Sequence, residues 1–261
     1  MDNQQPNIRL NKFLAERLGV SRREADELIA SGKVSVDNQT PILGTKIDKQ
    51  SKVFYNNKLV PFETEFIYIA FNKPVGYVCS RRAQGSAPTL YDLLPKKYQH
   101  LKTVGRLDKD SSGLILLTND GDFAFQMTHP KFRKTKVYEV ELNKPLEPLH
   151  QQMISDYGVM LDDGPSQFKV IKNTFAKPSS SGRSSRPSSR GSLLRPRSDC
   201  GCPSEEVSQK CYIVTLTEGR NRQIRRTFAA LGYRVTKLHR TNFGKYELGS
   251  LQPGKCVIIE P

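Results

Sequence analysis

The chain has 261 residues, with 41 lysines and arginines against 26 aspartates and glutamates, a net charge of +15. That length allows one large domain or two smaller ones with a real core, and the charge favours polyanionic partners, nucleic acid first. Five cysteines without a C-x-x-C pair, a polar N-terminus and no apolar run of about 18 residues argue against a disulfide framework, secretion or a membrane span, and point to a reducing cytosol. Tryptophan is absent, so any base stacking falls to Tyr, Phe, His or Arg.

In chain order, Leu10, Phe13, Leu14 and Leu18 recur at helical spacing, and Gly19 ends that helix. Ser21 and Glu24 form a Ser-x-x-Glu capping box that starts a second helix, with Ala25, Leu28 and Ile29 on its apolar face and Gly32 closing it. Val34 and Val36 alternate as a strand into an Asp37-Asn38 turn, and a hairpin is expected around Asn56-Asn57. The stretch RLNKFLAERLGVSRREADELIASGKVSVD, residues 9–37, resembles the S4 RNA-binding domain. A domain over 1–62 is therefore expected, with Arg9, Lys12, Arg22, Arg23 and Lys33 as its RNA contacts.

Beyond it, Phe66–Phe71 and Leu114–Leu117 read as buried strands, Val137–Leu142 and Tyr212–Leu216 as half-buried ones, and Val257–Ile259 as a last strand. Gln223–Leu231 reads as a helix, with Ile224, Phe228 and Leu231 on one face. Strands outnumber helices and no β-α-β period appears, which predicts an α+β domain over 63–261 on a mixed, mainly antiparallel central sheet. Residues 174–210 are rich in Ser, Arg, Pro and Gly and form an expected flexible insertion. Its ends, Val170 and Tyr212, should lie on neighbouring strands. Cys200-x-Cys202 within it has the wrong spacing for a usual zinc site.

No P-loop, Gly-x-Gly-x-x-Gly or His-Glu-x-x-His occurs, and the four histidines are scattered, so nucleotide-driven or metal-dependent chemistry is poorly supported. Asp108 sits in Gly105-Arg106-Leu107-Asp108, just before an apolar strand that could present it to a cleft. On their own, Asp108 and Asp110 read more readily as plain turn residues of a polar loop. Arg220, Arg222, Arg225 and Arg226 crowd the start of the 223–231 helix. Cations there oppose the helix dipole, which implies a partner anion, phosphate or carboxylate.

Asn-Lys-Pro-x-Gly (72–76), Gly-Arg-Leu-Asp (105–108), Lys-x-Tyr (136–138) and Gly-Arg-x-x-Gln-Ile-Arg-Arg (219–226) follow one another behind the S4-like segment. In that order they resemble the ribosomal RNA pseudouridine synthases of the branch with an N-terminal S4 domain. The Ser/Arg insertion departs from that pattern. The resemblance implies the pseudouridine synthase fold and isomerisation of a uridine in rRNA, in a bacterial or bacterially derived compartment. It implies no cofactor, metal, nucleotide or membrane, a monomer, and rRNA or a ribosome-assembly intermediate as partner. It makes Asp108 the essential carboxylate, Tyr138 the aromatic packed on uracil, and Arg225 the guanidinium that keeps Asp108 ionised. One basic cleft would gather all three, with Arg106, Arg220 and Arg222 among its RNA contacts; Asn72, Lys73 and Pro74 would support the loop. The competing reading is a non-catalytic rRNA-binding or assembly factor, which has no need of Asp108, Tyr138 and Arg225 together.

Overall fold

The structure, a computed structural model, describes residues 7–63, 65–81, 85–173 and 209–261. These residues divide into two compact units. The first takes in the described residues up to Lys109, Gly113–Phe132 and Leu248–Pro261; the second takes in Asp110–Ser112 and the described residues of Arg133–Glu247.

In the first unit, β1 (Ile8–Arg9) leads into α1 (Leu10–Arg17) and α2 (Arg22–Ala30). The capping box forms as the sequence predicts: Ser21 Oγ accepts from Glu24 N at 3.1 Å and Glu24 Oε2 accepts from Ser21 N at 2.7 Å. The predicted apolar faces meet, burying Leu10, Phe13, Leu14, Ala25 and Ile29 in one cluster. β2 (Val34–Val36), β4 (Val53–Tyr55) and β5 (Lys58–Leu59) form an antiparallel sheet, while β3 (Lys46–Ile47) pairs with β1. Asn56 and Asn57, both at positive φ, make the tight turn between β4 and β5.

The same unit carries four strands side by side: β7 (Lys102–Val104), β8 (Ser112–Thr118), β6 (Tyr68–Lys73) and β16 (Cys256–Ile258). β6 begins two residues later than the apolar run suggests, with Phe66 left 42% exposed, and continues through Asn72 and Lys73, which are buried although polar. Backbone pairing carries it on, with Asn72 opposite Leu114 and Lys73 opposite Gly113. The N-terminal helix pair is tied to this sheet. Lys102 Nζ donates to Val20 O at 2.9 Å and Ala15 O at 3.5 Å, and Lys12 Nζ reaches Asp122 at 2.6 Å. Lys12, expected on RNA, thus has a carboxylate partner. α3 (Gly121–Thr128) is capped by Asp120, whose side chain accepts from Asp122 N and Phe123 N.

In the second unit, β12 (Lys169–Lys172), β13 (Cys211–Leu216), β9 (Lys136–Leu142) and β14 (Val235–Phe243) pair antiparallel in that order, with β15 (Tyr246–Glu247) on β14. With an isolated parallel bridge between Val78 and Thr89 in the first unit, the pairing is mixed and mainly antiparallel, as expected. β14 carries register shifts between Val235 and Lys237 and between Arg240 and Asn242. The second unit also holds α4 (Pro148–Gln152), the hairpin of β10 (Val159–Leu161) and β11 (Gly164–Ser166), and α5 (Gln223–Ala230). Among the described residues no helix is long and apolar enough to cross a membrane.

The predicted insertion lies mostly outside the described residues, which resume at 209 after 173. Its flanks are neighbours as expected. Lys172 lies opposite Tyr212, and Asn173 N donates to Cys211 O at 2.9 Å. Because the flanking strands already pair at Lys172–Tyr212, we expect that replacing 174–208 with a four-residue Gly/Ser turn will keep the melting midpoint within about 3 °C, the scale of about 1 kcal/mol in a domain of this size. A larger loss would make the segment structural.

Candidate active site

The Gly-Arg-Leu-Asp motif lies in the loop between β7 and β8, in the first unit. Gly105 adopts φ +72°, a conformation open to glycine at little cost. Arg106 is exposed, Leu107 is buried and Asp108 is half-buried. Two contacts hold the peptide around Asp108. Leu107 N donates to Cys79 Sγ at 3.3 Å and the Cys79 thiol lies 3.2 Å from Leu107 O. Gly76 N, from the Asn-Lys-Pro-x-Gly motif, donates to Lys109 O at 2.8 Å. Within that motif this contact comes from Gly76, whereas Asn72 Nδ2 donates to Leu251 O at 2.7 Å and Lys73 Nζ to Pro74 O at 3.0 Å. Cys79 was not singled out by sequence, because a lone cysteine gives no local signal of the backbone it touches.

The arginine motif lies in the second unit and splits into two sets. Arg220 donates to Asp163 O and Oδ1 at 3.1 Å, to Gly164 O at 3.0 Å and to Pro165 O at 2.8 Å; Arg226 reaches Asp163 Oδ2 at 2.7 Å. Gln223 Nε2 and Thr227 Oγ1 donate to Ser166 Oγ. These side chains bind the β10–β11 hairpin to α5. Arg222 and Arg225 turn to the other carboxylate. Arg222 Nη2 lies 3.1 Å from Asp110 Oδ2, and Arg225 Nε lies 3.9 Å from it. Arg225 also donates to Asp110 O at 2.8 Å, Ser111 Oγ at 3.5 Å and Val235 O at 3.0 Å. The hydrogen bond from Arg222, then its charge and that of Arg225, hold the Asp110 carboxyl below its usual range against the opposing effect of burial. The anion that the arginine cluster demanded is thus supplied by Asp110 and Asp163. Arg220 and Arg222, expected on RNA, both have protein partners.

Tyr138 lies on β9, buried, directly opposite Val214 on one side and Arg240 on the other. Arg240 Nη1 donates to the Tyr138 hydroxyl at 3.4 Å, and its guanidinium carbon lies 4.8 Å from the Phe243 ring centroid. Arg240 is only 2% exposed and was missed by sequence reading. Two positions along the same face is Lys136, whose ammonium donates to Lys134 O at 3.3 Å and Glu218 O at 3.4 Å. Burial first, then the Arg240 charge, lower its pKa to about 8, and Glu218 pulls the other way. A lysine in an unfolded chain titrates near ~10.4. The stability that follows from this depression is fully present above that value and is lost as pH falls through about 8. The melting difference between wild type and Lys136→Met should therefore move in favour of wild type from pH 8 to 10; a constant difference would show that Lys136 titrates normally.

In the N-terminal segment, Arg9, Arg22, Arg23 and Lys33 are exposed. They cover a helix pair whose sequence matches the S4 domain family over residues 8–40. The RNA pseudouridylate synthase family profile matches residues 67–230. A ribosomal large subunit pseudouridine synthase B of Salmonella typhi is 33% identical over 92% of this chain and 75% of its own. A ribosomal small subunit pseudouridine synthase A of Vibrio vulnificus is 31% identical over 95% of this chain and 94% of its own. A crystal structure of a pseudouridylate synthase matches with a TM-score of 0.60 at 28% identity, over 97% of this chain and 96% of that one. A fold, a set of motifs and a sequence likeness that agree over nearly the whole length place the chain in the RNA pseudouridylate synthase family, isomerases that convert uridine to pseudouridine in RNA, with an S4 domain at its N-terminus.

Proposed function

We propose that this enzyme isomerises a uridine of ribosomal RNA, in the free RNA or an assembly intermediate, with Asp108 as the catalytic carboxylate. The observation that carries the reading is the grip on its loop. Cys79 holds Leu107 and Gly76 holds Lys109, one residue to either side of Asp108. A carboxylate so mounted costs little reorganisation when it acts. The relatives that act on large- and small-subunit rRNA support the substrate class.

In the reaction the N1–C1′ bond breaks, the uracil turns, and C5 bonds to C1′. The proton on C5 leaves and N1 gains one, so the change is atom-neutral and needs no oxidant or energy source. Asp108 takes part at C1′, at uracil C6 or at the 2′ position. Tyr138 packs on the base, and Arg240 orients its hydroxyl for the late proton transfer. Arg225 acts by holding the chain at Asp110 and Ser111, two and three residues beyond Asp108. The target base must first leave its stack, at a cost of a few kcal/mol, and basic groups such as Arg22, Arg23, Lys33 and Arg106 offset this through phosphate contacts.

Mapping pseudouridines across rRNA from cells with and without the protein tests the reading. One or a few sites should vanish with the gene and return with purified enzyme. An unchanged map would overturn rRNA as substrate.

A further inference from the structure

The outward side of α3 and the turn that follows it carry a group of rings that neither the core nor the chemistry accounts for. The inward side is ordinary. Met127 is buried, Phe123 meets Tyr68 edge-on at 5.0 Å, and the Tyr68 hydroxyl bonds Asp120, the helix cap, at 2.8 Å. On the opposite side Phe125, from the helix, meets His129, the extended residue that ends it, and Phe132, from the 3-10 turn Pro130–Phe132; all three are exposed. Phe125 is 46% and Phe132 38% exposed. Their centroids lie 4.6 Å (Phe125–His129) and 5.8 Å (Phe125–Phe132) apart, the latter pair at 89°. Lys131 Nζ sits 5.3 Å from the Phe125 centroid and 4.6 Å from that of Phe132. Gly105, the first residue of the catalytic loop, lies against Thr128 of the same helix; a Cβ placed there would be 3.5 Å from its methyl group.

We propose that Phe125, His129 and Phe132 form a platform on which an unpaired base of the RNA substrate stacks, with the long Lys131 side chain, whose ammonium lies over the Phe125 and Phe132 rings in the free protein, swinging aside to take the adjoining phosphate. This rests on the rRNA reading above. Exposed π-faces beside a cation suit a nucleobase, which has a flat face and a neighbouring negative charge. They suit an aliphatic protein surface less well, since that would leave Lys131 without a counter-charge. The sequence runs on as Arg133-Lys134, which extends the positive charge along the chain. The helix that carries Phe125 is anchored by Asp120, Phe123 and Met127, and Phe125 in turn packs against His129 and Phe132, so stacking loses little entropy. The platform would keep a nucleotide near the target in place while the target itself is turned out.

The test uses the full chain and deproteinised rRNA from cells lacking the enzyme. The double variant Phe125→Leu/Phe132→Leu keeps apolar bulk and removes both π-faces. Its KM should rise roughly ten- to a hundredfold, the scale of losing base–aromatic stacking, with kcat and the melting midpoint nearly unchanged. A KM within twofold of wild type overturns the proposal. A second readout does not need turnover. The chain has no tryptophan, so Phe132→Trp introduces a single indole fluorophore, and stacking of a base should quench it as the rRNA is added. No quenching, or quenching by ribosomal particles only, overturns the platform and in the second case makes a protein the partner. If wild type forms no pseudouridine but rRNA still quenches the indole of the Phe132→Trp variant, the rRNA-isomerase reading fails while the platform stands.

Discussion

Asp108→Asn is expected to reduce pseudouridine formation to background, a loss on the order of 10⁴-fold, at the upper end for removal of a group that moves a proton or attacks carbon. The fold should barely respond. The loop has backbone supports through the Leu107 amide and the Lys109 carbonyl, besides the buried Leu107 side chain, and these remain in the variant. Asparagine keeps the shape and loses the charge. Primer-extension mapping of pseudouridine reads the activity and a thermal melt the stability, which should stay within about 1 kcal/mol. A variant that still modifies rRNA at more than a few per cent of the wild-type rate would remove Asp108 from the chemistry. One that modifies nothing yet binds rRNA normally would separate catalysis from binding, which a pure binding protein could not show.

Arg225→Ala should cost both stability and activity. The side chain is 13% exposed and donates to two backbone carbonyls, Asp110 O and Val235 O, besides facing the Asp110 carboxylate. Its removal leaves those acceptors short of a donor and weakens an ion pair, an expected loss of about 2–4 kcal/mol. Since Asp110 and Ser111 continue the loop proposed to carry the catalytic Asp108, kcat should fall by more than KM rises. Arg225→Lys restores the charge but not a fork that spans several acceptors at once, so it should recover part of the stability and little of the rate. Urea unfolding with parallel rRNA assays checks this; an alanine variant as stable as wild type would show that the contacts are incidental.

Much of the N-terminal segment was legible because its signals are local. A capping box, two glycine stops and two asparagine-rich turns are written within a few residues of the structure they make. β14 was not legible, although it is the longest strand among the described residues. Its buried residues, Val235, Leu238, Arg240 and Phe243, are spaced three, two and three apart because bulges break the alternation. That is why Arg240 escaped notice. α3 was hidden by Asn-Asp-Gly, which reads as a turn, and by aromatics on its outer side. For the arginine cluster, charge alone required an anion but could not choose between phosphate and carboxylate; Asp110 and Asp163 lie too far along the chain for spacing to reveal them. The roles proposed for Asp108, Tyr138 and Arg225 came from motif order, not from periodicity.

The Lys102 contact bears on how the molecule melts. A helix normally ends with several carbonyls turned to water, yet an ammonium supplied from more than eighty residues away reaches Ala15 O in the last turn of α1 and Val20 O in the link to α2. Asp122 reaches the same helix through Lys12. The final turn of α1 is then only as durable as the strand that carries Lys102. Calorimetry should accordingly register one heat-absorption peak for the N-terminal helices together with β6–β8, and Lys102→Met should split it in two, with the earlier transition belonging to the helices.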